Sequence, residues 1–254
     1  MSTGRPPAAG PGSPGGTDSP VGTDQALELV GVTSGYGDAV VLRDISLSVP
    51  RGAAVALLGA NGAGKTTLLR TVSGLIRPSG GQVLLDGVDV TGSRPYRRAA
   101  RGLCHVPEGR GVFRSLTVHE NLVLQSRHGL EAHAVEQATA VFPVLGRRLR
   151  QVAGTLSGGE QQMLAMAVAY VRHPRLILVD EASLGLAPRI VEEIFAFLQT
   201  LAASGVSLLL VDQFVTRALE IAGHVYVLRR GSLVYGGAAE GLSEDFLVQH
   251  YIGS

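Results

Sequence analysis

The stretch AAVALLGANGAGKTT (53–67) constrains this chain more than any other. Its unbroken apolar start reads as a parallel strand covered on both faces. A glycine-rich turn follows, and TTLLRTVSGL then continues in helical pattern. Gly59 to Thr66 match G-x-x-x-x-G-K-T in the required strand–loop–helix setting. Glycines let successive backbone N–H groups turn inward around a phosphate, and the helix N-terminus adds partial positive charge. The candidate phosphate cradle is Gly59, Asn61, Gly62, Ala63, Gly64, Lys65, Thr66 and Thr67. Of the 22 basic residues, Lys65 is the only lysine. As a compact point charge it suits the β- and γ-phosphates, where a planar guanidinium would not fit. The Thr66 hydroxyl is expected on Mg²⁺.

A second buried strand, LILVDE (176–181), ends in two carboxylates. Asp180 is placed to hold Mg²⁺, directly or through water. Glu181 is placed to orient and deprotonate an attacking water. A third element, LSGGEQQ (156–162), opens the helical run QQMLAMAVAYV. Ser157, Gly158 and Gly159 at this helix start form another anion-binding end. One phosphate loop already serves this chain's own nucleotide, so a second anion end suggests use in trans, on a nucleotide held by another subunit. A third buried strand, VSLLLVDQF (206–214), ends in Asp212-Gln213. The Gln213 amide can both donate and accept a hydrogen bond.

The rest of the chain fits around these elements. Residues 1–24 hold five prolines and six glycines with almost no large apolar side chain. Such a segment cannot offset its ordering entropy and is expected to be a disordered tail. ALELVGVTSGY and LRDISLSV alternate like half-buried antiparallel strands, GGQVLLDGVDV (80–90) reads as strand and turn, and HVYVLRRGSLVYGG as a terminal hairpin. PRIVEEIFAFLQTLAASG reads as a helix between the second and third buried strands. Residues 93–171 are mostly helical in pattern, with Cys104 in a short strand-like stretch as a small buried hydrophobe. Arg94, Arg97, Arg98 and Arg101 recur at i, i+3, i+4 and i+7, a basic stripe expected to face solvent, with a partner or lipid headgroups as the alternative. His105, His173 and His224 have no metal-ligand spacing and read as surface or strand residues.

Composition narrows the setting. At 254 residues and 45% apolar, the chain can build a real core. A net charge of +1 makes no case for nucleic acid or an anionic membrane. One cysteine excludes an internal disulfide and fits a reducing compartment. The longest apolar runs fall short of the roughly 18–20 residues that span a bilayer. The N-terminal stretch lacks a secretory pattern. A soluble, cytoplasmic protein is expected, able to dock on a membrane protein.

GANGAGKTT, LSGGEQQ and LILVDE, in this order, resemble the ATP-binding-cassette ATPases over about residues 26–251. The resemblance implies a phosphate-loop α/β fold: a mixed sheet, an antiparallel β edge and an inserted helical subdomain at about 93–171, all within 25–254. It implies hydrolysis of ATP to ADP and phosphate. Two cassettes would close head to tail, with Ser157 and Gly159 facing the γ-phosphate held by the partner. Tyr36, in SGYGDAVVLRDISL, matches the aromatic that stacks on adenine. Gln213 takes the position of the family's switch residue, usually histidine.

HVPEGRGVFRSLTVHENL (105–122) and DEASLGLAP (180–188) further resemble the ATPases of branched-chain amino-acid importers. Glu108 stands where most cassettes carry a glutamine linking the nucleotide site to the helical subdomain. Ala187 stands at the usual aspartate position after the catalytic carboxylate. Both departures, and Gln213, are familiar in that importer subgroup. The resemblance implies membrane permease subunits, a sister ATPase as dimer partner (a homodimer is the alternative), a solute-binding protein in the same system, and no nucleic acid. The chain would then sit peripherally on the cytoplasmic face of the membrane. Other readings are a different cargo such as urea, an amide or another amino acid; a soluble cassette ATPase outside transport; and an ATP-sensing module without catalysis.

Overall fold

The computed structural model describes residues 24–109, 111–126, 128–212, 215–243 and 245. In chain order the elements are β1 (Gln25–Tyr36), β2 (Ala39–Pro50), β3 (Ala54–Leu58), α1 (Lys65–Val72), β4 (Gly80–Leu85), β5 (Val88–Asp89), α2 (Pro95–Ala100) and β6 (Leu103–Val106). Then come α3 (Val118–Gln125), α4 (Glu131–Val141), α5 (Pro143–Gly146), α6 (Gly158–Val171), β7 (Leu176–Asp180), α7 (Pro188–Ala203), β8 (Ser207–Val211), α8 (Val215–Ile221), β9 (His224–Arg229) and β10 (Ser232–Ala238).

Two sheets organise these elements. The larger runs β10-β9-β3-β8-β7-β6. Its β3, β6, β7, β8 and β9 pair in parallel, and β10 closes one edge antiparallel to β9. The smaller runs β2-β1-β4-β5 and is antiparallel throughout. Every residue of β3, β7 and β8 is buried, as expected of strands covered on both faces. Alternation sends the two sets of side chains to different layers. Leu176 and Leu178 join Leu68 and Leu69 of α1 in a core shared with Leu27, Leu29 and Val83 of the smaller sheet. Ile177 and Val179 join Leu164 of α6 and Ile194 of α7 on the opposite face. Helix α1 is therefore clamped between the sheets, and trimming Leu68 to alanine there should cost about 2–5 kcal/mol.

Within 93–171 the helices α2 to α6 are interrupted by β6, which pairs with β7 and adds an edge to the core sheet. Cys104 on that strand is buried, and burial pushes its thiol up. Helix α6 is buried almost all round, because α3, α4, α5 and α7 pack about it and β6 lies below. Such a helix carries little amphipathic signal. Among the described residues no helix is long and apolar enough to cross a membrane.

The basic stripe on α2 divides in a way its spacing does not suggest. Arg94, Arg97 and Arg101 are exposed, but Arg98 is only 1% exposed. Its guanidinium donates to the carbonyls of Thr71 (2.8 Å), Val72 (2.7 Å), Thr91 (3.0 Å) and Ser93 (3.2 Å). Two of these acceptors are carbonyls of the last turn of α1, which lack intrahelical partners. Arg98 is thus a structural plug for α1, where a solvated stripe was expected. Of the proposed tail, Asp24 alone is described, and its carboxylate accepts from Arg51 at 3.0 Å. Residues 1–23 and Gln213 lie outside the described residues.

Candidate functional site

The site grows from the C-terminal end of the central strand. Chain turns out of β3 at Gly59, where a Cβ would stand 2.3 Å from the Leu228 carbonyl oxygen on β9. Only glycine lets the loop lie that close. The loop ends at Gly64, whose φ of 111° places the N-cap of α1 in left-handed backbone. No side chain caps this helix. The first turn of α1 therefore presents N–H groups and partial positive charge to a phosphate. Between these glycines Asn61 and Gly62 are exposed and Ala63 is buried; beyond them, in the first turn of α1, Thr67 is buried too.

Lys65 is 5% exposed. Its ammonium donates to the carbonyls of Gly59 (2.8 Å) and Ala60 (3.2 Å) and lies 3.8 Å from a Glu181 carboxylate oxygen. It is thus folded over the loop whose amides would hold the phosphates. Thr66 donates its hydroxyl to Asp180 at 3.3 Å. Asp180 is 1% exposed at the end of β7. Burial pushes its carboxyl up; the Thr66 hydrogen bond opposes this, the Glu181 and Glu108 charges reinforce it, and Lys65 counters it. A hydroxyl beside a desolvated carboxylate is a hard-oxygen donor set that suits a small divalent cation, whose charge would offset the desolvation. Glu181 sits at φ 46°, a region non-glycine residues rarely occupy. Its N–H donates to the Val211 carbonyl of β8 at 2.7 Å, fixing the turn out of β7 against the neighbouring strand.

Tyr36, at the end of β1, is 48% exposed, and its phenol oxygen accepts from Arg70 at 3.1 Å. Tyr36, Thr66, Arg70, His105, Glu108 and Asp180 line one open cleft of about 680 Å³. Its mixed apolar and charged lining suits an adenine ring next to phosphates. Arg70 and His105 were not anticipated in it. Arg70 could have been found by helical period, since it lies four residues beyond Thr66 on the same face. His105 carried no local signal. Burial, with help from Arg70, pushes its imidazole down to about 4, and its Nε2 is buried without a hydrogen-bond partner.

The second anion end is built differently. Ser157 is the N-cap of α6 in a full capping box: its hydroxyl accepts from the Glu160 N–H, and the Glu160 carboxylate accepts from the Ser157 N–H at 3.0 Å. Arg148 holds that carboxylate at 2.8 Å. Ser157 and Gly158 are exposed. Gly159 is buried, and a Cβ on it would meet Ile190 of α7 at 2.8 Å. None of these three lines the Tyr36 cleft. Gly158 lines a separate cavity of about 300 Å³ with Gln161, Gln162 and Glu181, and Glu108 borders both cavities. Ala187 is the N-cap of α7 and, lacking a side-chain oxygen, leaves that helix uncapped by any side chain.

Known proteins resemble this chain over most of its length. The family model "ABC transporter" matches residues 42–184. The high-affinity branched-chain amino acid transport ATP-binding protein BraG of Pseudomonas aeruginosa is 41% identical over 80% of this chain and 88% of its own length. The probable branched-chain amino acid transport ATP-binding protein LivF of Archaeoglobus fulgidus is 37% identical over 86% and 94%. Among solved structures, an ATP-binding subunit of an ABC transporter superposes with a TM-score of 0.79 at 27% identity, covering 88% of this chain and 98% of that one.

Proposed function

The chain belongs to the ABC transporter family as its ATP-hydrolysing cassette, and on that premise we propose that it powers import of branched-chain amino acids. In this reading it sits peripherally on the cytoplasmic face of the membrane, bound to permease subunits that take cargo from a solute-binding protein. A sister cassette is its partner. The similarity to BraG and LivF, together with Glu108 and Ala187 in the positions where that subgroup departs from other cassettes, supports this cargo.

The proposed chemistry divides among the residues already placed. Tyr36 stacks on the adenine. The amides from Gly59 to Thr67, with Lys65, hold the phosphates. Thr66 and Asp180 would hold Mg²⁺, which when bound supplies positive charge beside the β- and γ-phosphate oxygens. Glu181 takes a proton from water as its oxygen attacks the γ-phosphorus and the bond to ADP breaks. Gln213 positions that water. Ser157, Gly158 and Gly159 act on the partner's nucleotide, and Glu108 links the site to the helical segment. One observation carries the catalytic part: Lys65, Glu181, Thr66 and Asp180 converge within hydrogen-bond or ion-pair distance at the end of β3 and β7.

The test is uptake of labelled leucine by source cells carrying Glu181→Gln in place of the native chain. Collapse of leucine uptake, with unrelated amino acids still entering, is the expected result. Unchanged leucine uptake in cells without a parallel importer would overturn the cargo.

A further inference from the structure

The turn that carries Glu181 is fastened to β8 twice. The backbone bond from Glu181 N–H to Val211 is one fastening. The other is a side-chain bond: Ser183 donates its hydroxyl to Asp212 at 2.5 Å. Ser183 is 2% exposed and Asp212 is 5% exposed. The length is that of a hydroxyl-to-carboxylate bond, the strong class of such contacts. Ser183 lies two residues after Glu181, and Asp212 is the first residue after β8. The two bonds hold the turn at Glu181 itself and two residues beyond it, and the Glu181 φ of 46° lies where non-glycine backbone stays only when its surroundings hold it.

We propose that Ser183 and Asp212 are positioning residues for ATP hydrolysis, forming a buried clasp that holds the Glu181 carboxylate in register with Lys65 and the Thr66–Asp180 pair. Neither side chain lines the Tyr36 cleft, so the clasp acts through Glu181. Its effect falls on turnover and leaves nucleotide affinity alone. This rests on Glu181 being the base.

The experiment measures phosphate release and ATP affinity in the assembled transporter. Ser183→Ala and Asp212→Ala should each lower kcat roughly 10- to 100-fold, the scale of misplacing one reacting group. ATP affinity should stay within about twofold. The double variant should be no slower than Asp212→Ala alone, because that variant has already removed the bond that Ser183→Ala removes. Asp212→Asn keeps a carbonyl acceptor and should retain kcat within about threefold. If Ser183→Ala does not fold, Ser183→Cys replaces it, since a thiol is a similar shape but a weak donor, and an intermediate kcat loss is expected. Unchanged kcat in the alanine variants, or in Ser183→Cys where it stands in, overturns the clasp. So do losses that multiply in the double variant, or affinity that falls in step with kcat. Glu181→Gln is measured in parallel. If it keeps turnover, the base assignment fails and the clasp fails with it. If it stops turnover while Ser183→Ala does not, the clasp alone fails.

Discussion

Helices α1 and α6 both begin at glycines and both offer an N-terminus to an anion, but they prepare that end in opposite ways. At α1 the cap is Gly64, with no side-chain acceptor, and the opposite end is plugged by Arg98. At α6 the N-terminus satisfies itself through Ser157 and Glu160, with Arg148 behind them. An uncapped end beside a buried lysine is built to be completed by a phosphate. A self-capped, exposed end is stable without one. The contrast fits a division of labour in which α1 holds the chain's own nucleotide and α6 meets a nucleotide brought by a partner.

The most disruptive way to probe the α1 side is Lys65→Ala. Phosphate release should fall on the order of 100- to 1,000-fold, as for loss of one preorganised group, and ATP affinity should fall with it. Retained affinity by a fluorescent-nucleotide titration would place the phosphates elsewhere. Arg98→Leu comes next, because it strips the plug from the far end of α1 and leaves buried carbonyls unpaired. A loss of about 3 kcal/mol or more in urea denaturation is expected; a change below about 1 kcal/mol would show that α1 does not depend on the plug.

Acid should also separate the two sides. His105 in the Tyr36-lined cleft is held down to about 4, chiefly by burial. Above its ordinary value of 6.5 it is neutral in both folded and unfolded chain, so it contributes no slope. As pH falls from 6.5 toward 4, the unfolded chain takes a proton that the folded chain refuses, and stability drops. Below about 4 the penalty is constant, on the order of 3 kcal/mol. His224 is shifted the same way by burial and adds to the slope. His105→Gln should flatten the pH dependence of stability between pH 6.5 and 4; an unaltered slope would contradict the burial of a neutral imidazole. The smallest effect belongs to α6: Ser157→Ala removes one cap and should cost about 1 kcal/mol by thermal unfolding.

What could be seen in the sequence was whatever is local. AAVALLG, the glycine loop and Lys65 lie within one strand–loop–helix unit, so spacing alone placed them. LSGGEQQ showed its helix start at Ser157 in the same local way, and the structure adds the capping box with Glu160 three residues on. What stayed hidden depends on distant acceptors. Arg98 shares its spacing with three exposed arginines and is singled out only because the end of α1 arrives beside it from 26 residues earlier. His105 enters the cleft because β6 pairs with β7. Ser183 meets Asp212 across 29 residues through the pairing of β7 with β8. No periodicity records such meetings.

The division of labour between the two helix ends is tested most directly by Gly158→Asp. A Cβ at Gly158 meets nothing closer than Leu186 at 3.9 Å, so the substitution adds negative charge to the exposed α6 end without a clash. In the assembled transporter, ATP affinity of this chain's own site should stay within about twofold while phosphate release falls at least about 10-fold, the lower range for losing an anion-stabilising end. If affinity collapses together with hydrolysis, α6 serves its own chain's nucleotide. If hydrolysis is unchanged, the α6 end meets no phosphate at all.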